Sequence, residues 1–316
     1  MRLVAALLAL LASATAQAAT TPRTIATLPG IAAAENALQA SDGRIYASSN
    51  GALYRIVPPA SPHAADDPGW SRTALAASFL DARPHPCYYL GLAEANRTVF
   101  ALCTENSLDV AAPKHLMAID PVAAGAAPAL REVGALQSIG LPNGLASDGQ
   151  GHLYYANTGI LYPGSVHKLT LAGTGAVVSD VPVIQFLLEN PNGLKIAGGQ
   201  LYVGTDPVLL LGATRVLRYP LGANGPATIP AVVSSALGFY DDFSLLAGNG
   251  LLVAEFLLGQ VQDVDEASGR VLQSFAIGQP TSATVVADDG FSYLLVTQRG
   301  ANQAVVTTNP WNLKPR

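Results

Sequence analysis

Four polar side chains recur at one place in a repeating pattern: Glu35, Asn143, Asn192 and Asp241. Each lies nine or ten residues ahead of an apolar pair, respectively Ile45-Tyr46, Leu153-Tyr154, Leu201-Tyr202 and Leu251-Leu252. Tyr89, ahead of Val99-Phe100, shares the spacing without a metal-type side chain. Residues in one register of a repeated unit hold one place in every unit, so a closed ring of units carries them to a common axis. Two carboxylates and two amide carbonyls meeting there form an all-oxygen shell of charge −2. Such a shell suits a hard divalent cation and leaves positions for water and substrate. Taken singly, Pro-Asn-Gly and Tyr-Asp-Asp are also good turn sequences. The common register of all four is what points to a site.

The elements that must position these residues follow from the same repeat. From Glu35 through Tyr89, Asn143 and Asn192 to Asp241 the steps are 54, 54, 49 and 49 residues, and 40 more lead to Thr281, the start of a sixth unit. Each unit reads as an apolar inner strand, a turn with Gly, Asp or Asn, then a second, third and fourth strand. The third strands, such as Ser165-Val166-His167-Lys168-Leu169 and Gln260-Val261-Gln262-Asp263-Val264, alternate apolar with polar residues as half-buried strands do. The expected fold is all-β: a six-bladed β-propeller with four antiparallel strands per blade. The last unit supplies only three strands, 281–286, 293–297 and 303–307. Arg23-Thr24-Ile25-Ala26-Thr27-Leu28 is the natural fourth, pairing with the third strand of the last blade and closing the ring, which otherwise leaves an open edge.

Composition agrees. Only 12% of the 316 residues are charged, while 30 Gly and 22 Pro supply frequent turns. A net charge of −5 gives no basic footprint, so nucleic acid is not an expected partner. Residues 1–19 read as a secretory signal: Met1-Arg2, an apolar run over 3–12, and the small-residue pattern Ala16-Gln17-Ala18. The run is too short to span a bilayer, and no later segment is long enough, so no stable membrane span is expected. Residues 20–316 then form the propeller domain of an exported protein, periplasmic or secreted. Cys87 and Cys103 lie equally far from Ala95 in the turn-like Glu94-Ala95-Asn96, which sets them opposite one another in a simple hairpin. A disulfide is expected there, with two buried free thiols as the alternative. No His-Glu-x-x-His helix, Gly-x-Ser-x-Gly elbow or phosphate-binding loop is present, and the five histidines lack ligand spacing.

Pro142-Asn143-Gly144-Leu145, Pro191-Asn192-Gly193-Leu194, Tyr240-Asp241-Asp242-Phe243 and Pro280-Thr281-Ser282, each followed by its second-strand sequence, resemble the senescence marker protein/gluconolactonase/strictosidine synthase-like superfamily over most of the mature chain. The resemblance implies that Glu35, Asn192 and Asp241 are metal ligands, and that Asn143 binds metal or contacts substrate. Asp242 stands where paraoxonase-like members carry an asparagine and is a possible additional ligand. Calcium is the first expectation for the cation, with zinc, manganese or magnesium as alternatives. The implied activity is hydrolysis of a small-molecule lactone or ester, with Asp241 and Asn143 as the catalytic pair. Asp241 would accept the proton of the attacking water, or position it, and Asn143 would orient the substrate. Paraoxonase-like members place a histidine at the second blade's inner strand, where this chain has Cys87-Tyr88-Tyr89-Leu90. Tyr89, or Tyr88, is therefore the expected substrate contact. Leu161, Tyr162, Leu209 and Leu210, in loops over 157–164 and 206–214, are expected to wall the channel mouth. A non-enzymatic binding propeller with a structural calcium ion is the alternative. Strictosidine synthase-like condensation is disfavoured because the metal-free members lack this oxygen set.

Overall fold

A computed structural model of the chain describes residues 21–75, 87–106, 109, 111–119, 130–137, 140–159, 164–173, 175–208, 212–223 and 225–316. The expected signal segment, His85 and the loop residues Leu161, Tyr162, Leu209 and Leu210 lie outside these. Among the described residues there is no α-helix, and no helix long and apolar enough to cross a membrane.

The chain begins with β1 (Thr24–Pro29), then runs through five complete blades from the axis outwards. Blade one is β2 (Ala37–Gln39), β3 (Ile45–Ser48), β4 (Leu53–Val57) and β5 (Ser71–Ala74). Blade two is β6 (Tyr88–Ala95), β7 (Thr98–Thr104), β8 (Lys114–Ile119) and β9 (Leu130–Ala135). Blade three is β10 (Leu141–Ser147), β11 (His152–Thr158), β12 (Ser165–Leu171) and β13 (Val177–Gln185). Blade four is β14 (Glu189–Ala197), β15 (Gln200–Pro207) and β16 (Thr214–Gly222), extended by the two-residue β17 (Gly225–Pro226) and closed by β18 (Ala231–Ala236). Blade five is β19 (Tyr240–Leu246), β20 (Gly250–Glu255), β21 (Gln260–Asp265) and β22 (Val271–Ala276). Blade six is β23 (Pro280–Asp288), β24 (Phe291–Gln298) and β25 (Gln303–Thr308), with β1 as its outer strand. β1 pairs antiparallel with β25, Leu28 opposite Ala304, as the missing fourth strand required.

The core is six apolar wedges, one between each pair of neighbouring blades. Ile25 and Leu28 of β1 pack with Ile45 and Ile56 of blade one and with Tyr293 and Leu295 of blade six, so the ring closes by side-chain packing as well as by hydrogen bonds. Burial of sheets on both faces also explains a departure from the sequence pattern. Third strands were expected to be half-buried, yet β8 is buried throughout, and Ser165 and His167 of β12 and Gln262 and Asp263 of β21 are buried too. A blade inside the ring has a neighbour on each face, so its polar side chains must find partners instead of water. His167 finds Asp180 at 2.8 Å, and Asp263 accepts a hydrogen bond from Gln273 at 2.8 Å.

Cys87, just ahead of β6, is bonded to Cys103 of β7, their Cα atoms 5.5 Å apart. Such a bond persists in an oxidising, extracytoplasmic environment.

Candidate metal centre

The inner strands β6, β10, β14, β19 and β23 each carry a register irregularity at their first residues, between Tyr89 and Leu92, Pro142 and Leu145, Pro191 and Leu194, Tyr240 and Asp242, and Pro280 and Ser282. A bulge bends a strand and re-aims the residue within it. Aligning the pairings gives the axial set Glu35, Leu90, Asn143, Asn192, Asp241 and Thr281. The next position inwards holds Asn36, Gly91, Gly144, Gly193, Asp242 and Ser282. The glycines have a physical reason. A Cβ on Gly91 would collide with the Asn143 backbone, one on Gly144 with the Asn192 backbone, and one on Gly193 with the Asp242 carboxylate. Their absence lets successive inner strands approach at the axis and brings the preceding residues together.

Asn192 and Asp241, far apart in sequence, are in contact: Asn192 Nδ2 donates to Asp241 Oδ1 at 3.1 Å. The same Nδ2 lies 3.4 Å from Asp206 Oδ2. Asp206 is itself held by the Thr214 hydroxyl at 2.6 Å and the Tyr240 N–H at 3.1 Å, both on Oδ1. With its amide nitrogen committed, Asn192 presents a buried carbonyl oxygen that has no hydrogen-bond partner among the described residues. Glu35 accepts from the Tyr88 hydroxyl and lies 3.3 Å from Arg299 Nη2. Asn143, also buried, holds the axial position of β10 next to Asn192.

Other sequence-predicted residues have different surroundings. Tyr89 is fully buried in the wedge between blades one and two, where its hydroxyl has no partner among the described residues, and Leu90 occupies the axial register in its place. Tyr88 is the tyrosine at the site. Both oxygens of Asp242 accept from Lys195 Nζ at 2.8 Å, so this carboxylate is already charge-matched. Thr281 donates to the Ala34 carbonyl at 2.8 Å. Lys195, Asp206 and Arg299 were not singled out from the sequence, and Tyr88 was named there only as the alternative to Tyr89. Lys195 and Tyr88 sit beside the repeated position, Asp206 ends a second strand, and Arg299 stands in the turn after β24. The legible signal for the last two is place, because turns joining second to third strands open at the same end as the inner-strand starts.

The electrostatics are those of an anionic pocket. Four buried carboxyl groups, Glu35, Asp206, Asp241 and Asp242, face two cations, Lys195 and Arg299, so that when all four are ionised two negative charges are in excess. Burial raises the Asp241 carboxyl well above its ordinary range; repulsion from Glu35 adds to this and Arg299 opposes it. Asp206 is raised to about 7, again chiefly by burial, against the hydrogen bonds from Thr214, Asn192 and Tyr240. Glu35 and Asp242 are raised for the same first reason. A divalent cation fits this set: it would match the excess charge and use the orphaned Asn192 carbonyl, with Glu35, Asn143, Asn192 and Asp241 to hold it. Among the described residues no three or more His, Cys, Asp or Glu are grouped as a metal site. Lys195, paired with Asp242, also lines a cavity of about 600 Å³ towards the far ends of the inner strands, with Leu38, Leu92, Leu145, Ser244 and Arg316.

No family model matches the sequence, and no curated protein matches it. Solved structures do match. A gluconolactonase from Xanthomonas campestris is 16% identical, with 94% of this chain and 92% of that one covered at a TM-score of 0.63. Regucalcin from Agrobacterium tumefaciens, described as a calcium-binding protein, is 17% identical over 94% and 95% at 0.60. A glucose dehydrogenase is 12% identical over 91% and 98% at 0.58. At these identities the likeness establishes the architecture, and the chain shares the six-bladed propeller fold of the gluconolactonase and regucalcin structures.

Proposed function

We propose that this chain is an exported, metal-dependent hydrolase of lactones or related esters, acting at the mouth of the central channel. The single observation that carries the reading is the buried, over-negative cluster of Glu35, Asn192 and Asp241 with an unpartnered amide oxygen beside it. Its setting in a propeller like that of a gluconolactonase supports the substrate class. The signal-like residues 1–19 and the disulfide support export. When bound, a divalent cation, calcium first, supplies Lewis-acid polarisation of the ester carbonyl and neutralises charge developing on its oxygen.

The side chains do the rest. Asn192 Nδ2 occupies Asp241 Oδ1, which leaves Oδ2 to take the proton of an attacking water. Burial, with the Glu35 charge adding to it, raises the proton affinity of Asp241, the direction that strengthens a general base. Glu35 is fixed by Tyr88 and Arg299 as an anchor, Asn192 offers its carbonyl oxygen to the cation, and Asn143 orients the substrate carbonyl. A panel of lactones and aryl esters with added calcium tests the reading. Turnover is expected, and Asp241→Asn should lower kcat by about 100-fold or more, the general range for an acid–base group. No turnover on the panel, or an unchanged Asp241→Asn, sinks it. The likeness to regucalcin favours one other reading, a calcium-holding binding protein. Calcium that raises thermal stability without any turnover would select it.

A further inference from the structure

One side of the channel mouth is built around a guanidinium. The turn after β24 is closed by the Asn302 N–H donating to the Arg299 carbonyl at 3.2 Å. It is docked on the loop that carries Glu35: the Ile31 N–H donates to the Asn302 carbonyl at 2.9 Å, and the Ala33 N–H to Asn302 Oδ1 at 2.7 Å. Arg299 therefore issues from backbone fixed relative to the metal centre. Its Nη2 donates to the Tyr88 hydroxyl at 2.7 Å and lies 3.3 Å from Glu35 Oε1, and the guanidinium carbon stands 5.8 Å from the Tyr88 ring centroid. These contacts engage Nη2 alone among the described residues. The side chain is 43% exposed, whereas Glu35 beneath it is 3% exposed. A guanidinium carries five N–H donors, so Nε and Nη1 remain to donate at the solvent side of the site.

We propose that Arg299 recognises a carboxylate on the substrate, so that the preferred substrates of the site are lactones or esters bearing a carboxylate near the scissile carbonyl. This rests on the hydrolase reading and names its substrate class. A charge-assisted hydrogen bond from a half-exposed, pre-positioned guanidinium is strong and directional. A carboxylate brings one negative charge and matches one guanidinium. A doubly charged phosphate would meet Glu35 and Asp241 with the same single cation. A neutral lactone would leave the exposed donors of Arg299 to water.

The test compares three substrates on one lactone scaffold, carrying a carboxylate, a phosphate or a carboxamide, with calcium-loaded wild type, Arg299→Gln and Arg299→Lys. The expected result is a wild-type preference in kcat/KM for the carboxylate. In Arg299→Gln the carboxylate-to-carboxamide ratio should fall by about 10- to 100-fold, and Arg299→Lys should restore part of it. Loss of rate without change in that ratio would show that Arg299 only positions Glu35, and would overturn the assignment, as would a wild-type preference for the phosphate or the carboxamide. If nothing is turned over, calorimetry with the matching cyclic ethers, which lack the scissile carbonyl, still decides. Tighter binding of the carboxylated ether that weakens in Arg299→Gln supports the proposal, and equal binding of the carboxylated and carboxamide ethers overturns it. Should Arg299→Gln fail to fold, Arg299→Lys and the wild-type ligand series carry the same comparison.

Discussion

Asp206 shows how one atom's chemistry orients a candidate ligand it does not replace. Thr214 and the Tyr240 N–H both donate to Oδ1, while Oδ2 faces the Asn192 amide nitrogen. In Asp206→Asn the two contacts on Oδ1 survive, but an NH₂ replaces Oδ2 and confronts the NH₂ of Asn192. Asn192 then turns its carbonyl towards the new donor and away from the axis. Calcium affinity should fall by about tenfold, in the range of outer-shell substitutions at metal sites, with no loss of fold. Calorimetric titration checks this, and an unchanged Kd would show that Asp206 does not orient Asn192. At this scale the sequence was readable wherever a residue repeats. Glu35, Asn143, Asn192 and Asp241 share a register that pairing brings to the axis, whereas Asp206 and Arg299 hold the same place at the ends of their second strands, where the residue type changes from blade to blade and no repeat marks it. The displacement of Tyr89 has a related cause. The turns after the inner strands differ in length, and the short one after β6 shifts the axial place to Leu90.

The blades were legible because their turns recur, and β1 because blade six lacked a strand. What pattern could not supply was the polar pairing inside a doubly covered sheet. The clearest case joins blades two and three. Asp180 of β13 accepts from His167 at 2.8 Å, from the Tyr155 hydroxyl at 2.9 Å and from the Gln137 N–H, in the link between the two blades, at 2.7 Å. Burial pushes the Asp180 carboxyl up, but these three donors outweigh it and hold the group below its ordinary value. A lowered carboxylate contributes stability that is present above the unfolded value of about 3.9 and is lost as pH falls through the folded value. Asp180→Ala strands three donors and should cost about 2–4 kcal/mol at pH 7. Scanning calorimetry at several pH values should show that loss nearly constant from pH 8 to 5 and shrinking below about pH 4. A deficit that instead holds or grows in acid would show that the Asp180 carboxylate is not what stabilises the junction.

At the scale of the whole ring, six blades position one site and the site in turn loads the ring. Only circular closure, β1 on β25, makes Glu35 of the first blade a neighbour of Arg299 of the last. The same closure confines four carboxylates with two cations, so the axis carries a strain that a bound cation would relieve. The sign can be worked out. Asp206 is raised to about 7 and Asp241 well above its ordinary range, both first by burial. Carboxyl groups raised in the folded state bind more protons there than in the unfolded chain. Their stabilisation is complete below the unfolded value and is lost as pH rises through the folded one. The calcium-free protein should therefore lose thermal stability between about pH 5 and pH 8. Calcium competes with those protons, so its effect should be small at pH 5 and large at pH 8. There a 100-fold excess over Kd adds about 2.7 kcal/mol, roughly 4 °C in Tm for a domain of this size. Differential scanning calorimetry with chelator and with calcium at the two pH values makes the comparison. A calcium-free Tm that holds or rises towards pH 8, or a calcium shift equal at both, would mean that the axial carboxylates are already balanced by Lys195 and Arg299, and the cation would lose its physical reason to bind.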